Sequence, residues 1–169
     1  MLTGIQIDTK SFTKSAGTRT FDAASYLRSA GADGMMIQMF MKENADSFMK
    51  RNHLISLAEL NDSIAICAGE EEQVYDPVTA AQAADMLLQV NGIEASFVIT
   101  KRADGMVCIS ARSMGDVNVQ LIMEKMGGGG HLANAATQIK GKTIAEVKQT
   151  LIDQLAKTED DGNKESTEE

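Results

Sequence analysis

The run Gly127-Gly128-Gly129-Gly130-His131, followed by Leu132-Ala133-Asn134-Ala135-Ala136, is the segment whose residue types point most directly to chemistry. Four consecutive glycines are costly to order, so such a run is expected where a side chain would block approach to the backbone. N–H groups in a tight glycine loop form an anion-binding concavity. A histidine at its lip adds a donor of the side-chain type that can become a cation near neutral pH. The first expectation is therefore a phosphate pocket. Arg112, in Ser110-Ala111-Arg112-Ser113, ends a strand-like run one helix earlier. Its planar fork suits phosphate through two charge-assisted hydrogen bonds. The strand end and the glycine loop would flank that helix and face a common cleft.

Other motifs carry less. Ala136-Thr137-Gln138-Ile139-Lys140-Gly141-Lys142-Thr143 approaches a Walker A pattern, with Ala in place of the first glycine. Its interior is β-branched and strand-like, and only one helix follows it, which argues against a nucleotide triphosphatase. Asp8, read at the end of a short apolar strand, is placed where a carboxylate can enter a metal site. Hard cations need several ligands, and the two histidines, His53 and His131, lie far apart in sequence. A complete metal centre within the chain is not expected. His53 is read as exposed.

The elements that must position these residues follow from periodicity and caps. Leu2 to Asp8 reads as a strand, Phe21 to Ala30 as a helix stopped by Gly31, and Met35, Met36, Met39 and Met41 as core packing. A charged connector helix extends to about Leu60, with Ala45, Phe48, Met49 and Ile55 near one face. From Asn61 a compact α/β unit begins: a strand over Ser63 to Ala68, then a helix opened by Asp76-Pro77 and closed by Asn91-Gly92. Ala95 to Thr100 and Met106 to Ala111 alternate around the turn Asp104-Gly105. Asp116 is expected to cap a helix carrying Val119, Ile122, Met123 and Met126, which the glycine loop ends. Ala136 to Lys140 is a further strand. Thr143-Ile144-Ala145-Glu146 is a capping box for a last helix.

Composition bounds the class. The 169 residues carry a net charge of −8, of which residues 158–169 hold −5, so the acidity is mostly a solvated tail expected to be disordered. The stretch from Thr100 to Lys142, which contains the glycine loop, is net +3. No apolar run is long enough to span a bilayer, and the start lacks the features of a signal peptide. Cys67 and Cys108 sit in apolar runs and read as buried reduced thiols, which suits a cytosolic compartment.

Together these residues resemble DHH-family phosphoesterases, specifically the C-terminal part of the cyclic-di-AMP phosphodiesterases of Gram-positive bacteria. Leu2-Thr3-Gly4-Ile5 through Asp8-Thr9-Lys10-Ser11-Phe12 is similar to the last metal-binding motif of the DHH domain. Arg19-Thr20-Phe21-Asp22-Ala23-Ala24-Ser25-Tyr26-Leu27-Arg28 is similar to the segment after it. Glu94-Ala95-Ser96-Phe97, Ser110 to Ser113 and the glycine-histidine run with Asn134 to Gln138 resemble the DHH-associated domain. The resemblance implies an α/β fold: the end of the DHH domain over residues 1–42, a connector helix over 43–60, and the DHH-associated substrate-binding domain, with a mixed sheet, over 61–157. An acidic tail completes it at 158–169.

It also implies a two-lobed enzyme that opens cyclic di-AMP to linear pApA with a manganese pair, as two-metal hydrolases do. Asp8 then matches a metal ligand. Gly128, Gly129, Gly130 and His131 match the substrate-binding motif, with Arg112 and Asn134 as contributors. The family's other metal motifs are absent from these residues, so the chain reads as a fragment that binds nucleotide but is inactive alone. The resemblance further implies a parent anchored at the cytoplasmic face of the membrane and no duplex nucleic acid as partner, and leaves a homodimer open. Two alternatives stand beside it: part of a nanoRNase-like enzyme acting on short oligonucleotides, and a non-catalytic nucleotide-binding or dimerisation module.

Overall fold

The computed structural model describes residues 1–165. It divides into two compact units, Met1–Asn44 and Ala45–Glu169.

The first unit is helical: α1 (Leu2–Asp8), α2 (Thr18–Ser29) and α3 (Gly34–Phe40). The strand expected over Leu2 to Asp8 is thus a helix. No strand of this unit is available among the described residues to pair with it, and a helix satisfies its own backbone groups. Thr9 closes it, its hydroxyl donating to the Ile5 carbonyl at 2.6 Å. Lys10, Ser11 and Phe12 follow in left-handed backbone. The methionines expected in a core are instead exposed: Met35, Met36, Met39 and Met41 all lie at the surface, and Ile37 is the buried residue of α3.

The second unit is built on a six-stranded sheet in the order β1-β2-β3-β4-β6-β5. Its strands are β1 (Ala58–Asn61), β2 (Ile64–Ala68), β3 (Ala95–Lys101), β4 (Val107–Ser113), β5 (Gly129–His131) and β6 (Asn134–Ile139). Only β2 and β3 run parallel; the other pairs are antiparallel. The helices are α4 (Ala45–Ser56), α5 (Pro77–Leu87), α6 (Val119–Lys125) and α7 (Ile144–Glu165).

β3 is buried along nearly its whole length, and its Phe-Val-Ile run matches a strand covered on both faces. On one face Phe97, Ile99, Ile109, Ala111 and Ala135 pack with Val119, Ile122 and Met123 of α6 and Ile144, Val147 and Leu151 of α7. On the other, Ala65, Cys67 and Val98 pack with Ala80, Ala83, Ala84 and Leu87 of α5 and Leu54 of α4. α4 therefore packs into this unit through Leu54 and Arg51. Leu54 is fully buried while Phe48 and Met49 of the expected apolar face are exposed.

Local signals place several elements. Asp76 caps α5, accepting from the N–H groups of Val78 and Thr79 at 3.0 and 2.9 Å, with Pro77 in the first turn. The Thr143–Glu146 capping box opens α7. The cap of α6 is Asn118, whose side chain accepts from Leu121, and not Asp116. α7 continues to Glu165, so the stretch expected to be disordered from residue 158 begins as helix; residues 166–169 lie outside the described residues. The first half of the near-Walker segment, Ala136 to Ile139, is strand β6 hydrogen-bonded to β4, and the four residues from Lys140 to Thr143 form a short turn into α7, so no continuous loop spans the motif to wrap a phosphate.

Candidate functional site

The glycine run is not an open loop. Gly127 ends α6 in left-handed backbone at φ +81°. Its N–H donates to Glu124 O and that of Gly128 to Met123 O, the pairing of a Schellman stop. Gly129, Gly130 and His131 then form the edge strand β5, paired with β6. A Cβ on Gly128 would sit 2.6 Å from Thr137 Cβ and closer still to the Ala136 carbonyl oxygen. One on Gly130, at φ +152°, would meet Asn134 O and Ala135 Cα. Three of the four glycines are thus required by the helix stop and the close strand pairing, which corrects the simple phosphate-cradle reading. Gly129 differs. Nothing lies within 4 Å of its Cβ position, and its φ is not in the left-handed region.

Register brings the expected residues together. His131 pairs with Asn134, Asn134 with Arg112, and Arg112 with Ser96. Directly opposed residues of antiparallel strands share a face, so His131, Asn134 and Arg112 form one row across β5, β6 and β4. The next row on that face is Gly129, Ala136 and Ser110. The intervening residues Ala111 and Ala135 point into the α6–α7 core. The row therefore lies on the face away from α6, rather than in a cleft flanking that helix. On this side α5 and α4 cover β2 and β3. Beyond them Ser110 and Asn134 are half-buried, and Ala136, Gln138 and His131 are exposed. Cys108, expected to be buried, is half-buried on the same face.

Arg112 is the charged member of the row. Its Nε donates to Asp85 Oδ1 of α5 at 3.0 Å, and its Nη1 to the Ala111 carbonyl at 2.9 Å. Its side chain is 17% exposed, enough to be reached yet held by neighbours. A second guanidinium, Arg102, stands toward the other end of β4, paired with Asp104 at 3.1 Å and bonded to Gln138. Asp85 and Ser110 were not singled out from sequence. Asp85 sits among alanines on a helix and gains meaning only from the residue it meets.

Asp8 lies exposed at the C-terminal end of α1, in the first unit. Among the described residues no group of three or more His, Cys, Asp or Glu side chains is placed to hold a metal ion. Asp8 with its neighbours does not by itself make a manganese site. His53 is half exposed and lies 3.2 Å from Glu70, on the α4 side of the second unit. Among the described residues no helix is long and apolar enough to cross a membrane.

Residues 61–157 match the DHHA1 domain. The chain is 55% identical over 153 residues to the cyclic-di-AMP phosphodiesterase PdeA of Listeria monocytogenes, a match covering 90% of this chain and 23% of that protein. It is 53% identical over 154 residues to the cyclic-di-AMP phosphodiesterase GdpP of Bacillus subtilis, covering 89% of this chain and 23% of that one. The chain thus spans about a quarter of the length of these relatives. Among solved structures, an exopolyphosphatase-related protein from Bacteroides fragilis shares the fold at a TM-score of 0.73 and 20% identity, over 88% of this chain and 47% of the other. The domain match takes in more than half of the residues, and the chain belongs to the DHHA1 domain family.

Proposed function

We propose that this chain is the substrate-gripping part of a phosphodiesterase that opens cyclic di-AMP to linear pApA, a second-messenger turnover reaction. The observation that carries this reading is the in-register row His131–Asn134–Arg112, which runs out from beside α5 to the exposed edge of the sheet, with the unobstructed Gly129 next to it. The substrate class comes from the names of the relatives. Each residue has a task. The guanidinium of Arg112 donates to a phosphate oxygen in fork geometry. His131 adds a donor from the strand edge, carrying positive charge when protonated. The Asn134 amide both donates and accepts, so it can meet phosphate or base. Gly129, lacking a side chain, lets the nucleotide approach the backbone.

In this reading the reaction depends on manganese held by Asp8 together with groups beyond the residues described, in a membrane-anchored parent. The chain alone then binds nucleotide without turnover. Manganese-supplemented assays are expected to show no conversion of cyclic di-AMP by the chain, and clear conversion would overturn the division of labour. The binding surface is tested by amide chemical-shift mapping. Cyclic di-AMP is expected to shift the signals of Gly129, His131 and Asn134 and of the Arg112 side chain. Shifts confined to other surfaces would overturn the site. A response to short linear oligoadenylates but not to the cyclic dinucleotide would replace the substrate with that of a nanoRNase-like enzyme.

A further inference from the structure

The arginine of the row is oriented from the neighbouring layer. Asp85 Oδ1 accepts from Arg112 Nε at 3.0 Å, and the two side chains are 29% and 17% exposed. A pair this far out of water is screened less than a surface pair. Asp85 is itself held firmly. Ala80, Ala83 and Ala84 let α5 lie close on the sheet, all three buried. The hydroxyl of Ser96 donates to the Ala84 carbonyl at 2.8 Å. Ser96 is the strand partner of Arg112. The helix residue beside Asp85 is thus tied to the strand residue beside Arg112, and the carboxylate has little room to drift.

A guanidinium carries five donors in a rigid fork. Asp85 takes Nε and the Ala111 carbonyl takes one donor of Nη1, so the plane of the group is set while its remaining donors stay available to an anion. We propose that Asp85 is a positioning residue for phosphate recognition: it holds Arg112 in the one orientation that presents its outer fork to the ligand. This inference rests on the reading of Arg112 as a phosphate contact. The geometry assigns Asp85 a directional task, as a hydrogen-bond acceptor at a fixed distance, more than a supply of negative charge.

The test is calorimetric titration of the chain with cyclic di-AMP in wild type, Arg112→Ala, Asp85→Ala, Asp85→Asn, Asp85→Glu and the Asp85→Ala/Arg112→Ala double variant. Arg112→Ala is expected to weaken binding about tenfold or more, and Asp85→Ala about fivefold. In the Arg112→Ala background Asp85→Ala is expected to add nothing, because it acts through that arginine. Asp85→Asn keeps an acceptor at the same reach and should retain most of the affinity. Asp85→Glu keeps the charge but displaces it by a methylene and should bind more weakly than Asp85→Asn. Wild-type affinity in Asp85→Ala, an equal loss with Arg112 already removed, or Glu outperforming Asn would each overturn the proposal. If Asp85→Ala does not fold, the Asn–Glu order decides alone. An Arg112→Ala variant that binds like wild type would instead remove the phosphate-grip reading on which the proposal stands.

Discussion

Two adjacent glycines that look equivalent in the sequence should respond oppositely to the same methyl group. In Gly128→Ala the new Cβ meets the Ala136 carbonyl oxygen and comes within 2.6 Å of Thr137 Cβ and 2.7 Å of its Cα. These atoms cannot easily yield: β6 is paired on both sides, and Thr137 is 2% exposed with its hydroxyl donating to Met126 O at 3.1 Å. Forced overpacking of this kind costs about 1–3 kcal/mol. In Gly129→Ala the methyl meets nothing within 4 Å, in backbone outside the left-handed region. There the dominant effect is the lost freedom of the unfolded chain, a gain of about 0.4–1 kcal/mol. At roughly 2–4 °C per kcal/mol for a chain of this size, Tm should fall by about 2–12 °C in the first variant and rise by about 1–4 °C in the second. The Gly129→Ala methyl also stands on the proposed ligand face, beside the His131–Asn134–Arg112 row. It should weaken cyclic di-AMP binding about tenfold, which is about 1.4 kcal/mol. Thermal denaturation followed by circular dichroism, with calorimetric titration of the same samples, reads both effects. Equal destabilisation by the two substitutions would refute the hairpin geometry. A stable Gly129→Ala that binds like wild type would refute the placement of the ligand.

Two further outcomes test the scaffold. The hydrogen bond from the Thr79 hydroxyl, with those from the Thr79 and Val78 N–H groups, holds the Asp76 carboxyl below its ordinary value of 3.8. Its contribution is therefore complete above that value and lost as pH falls through the lower folded-state one. Asp76→Ala should cost about 1 kcal/mol at neutral pH, and in urea denaturation the gap to wild type should close on acidification below about pH 4; a gap unchanged by acid contradicts the cap. Burial pushes the Cys67 thiol up to about 12, and its Sγ donates to Leu54 O at 2.8 Å. Iodoacetamide should label Cys67 only past the unfolding midpoint, because the thiolate is the reactive form. Labelling of native protein at Cys67 would contradict the packing of α4 on β2.

What could be read from residues alone was what local chemistry determines. Asp76-Pro77, Asp104-Gly105 and the Thr143–Glu146 box each act within a few residues, and α5, the β3–β4 hairpin and the start of α7 stand where they mark them. β5 carries no strand pattern, being two glycines and a histidine, and is a strand only because β6 lies alongside. α4 reads as a connector because its charged face dominates its composition; the buried Leu54, and the buried Arg51 donating to Gln82 Oε1 at 2.9 Å, tie it to α5. The site divides the same way. Gly129, His131, Asn134 and Arg112 were visible as residue types suited to phosphate. Their alignment in one row depends on the register of β4, β6 and β5, which is a tertiary fact. The run's other glycines answer a packing demand, so part of the strongest motif in the sequence is scaffold, and Gly129 and His131 are the part proposed as site.

The central claim is that the open sheet face grips a cyclic dinucleotide through that row. Calorimetric titration of the chain with cyclic di-AMP, in wild type and in His131→Ala, tests it most directly. His131 is exposed at the sheet edge, so its removal leaves the core untouched. Wild type is expected to bind weakly but measurably, and His131→Ala to lose that binding at unchanged Tm. Tight binding indifferent to His131 would contradict it.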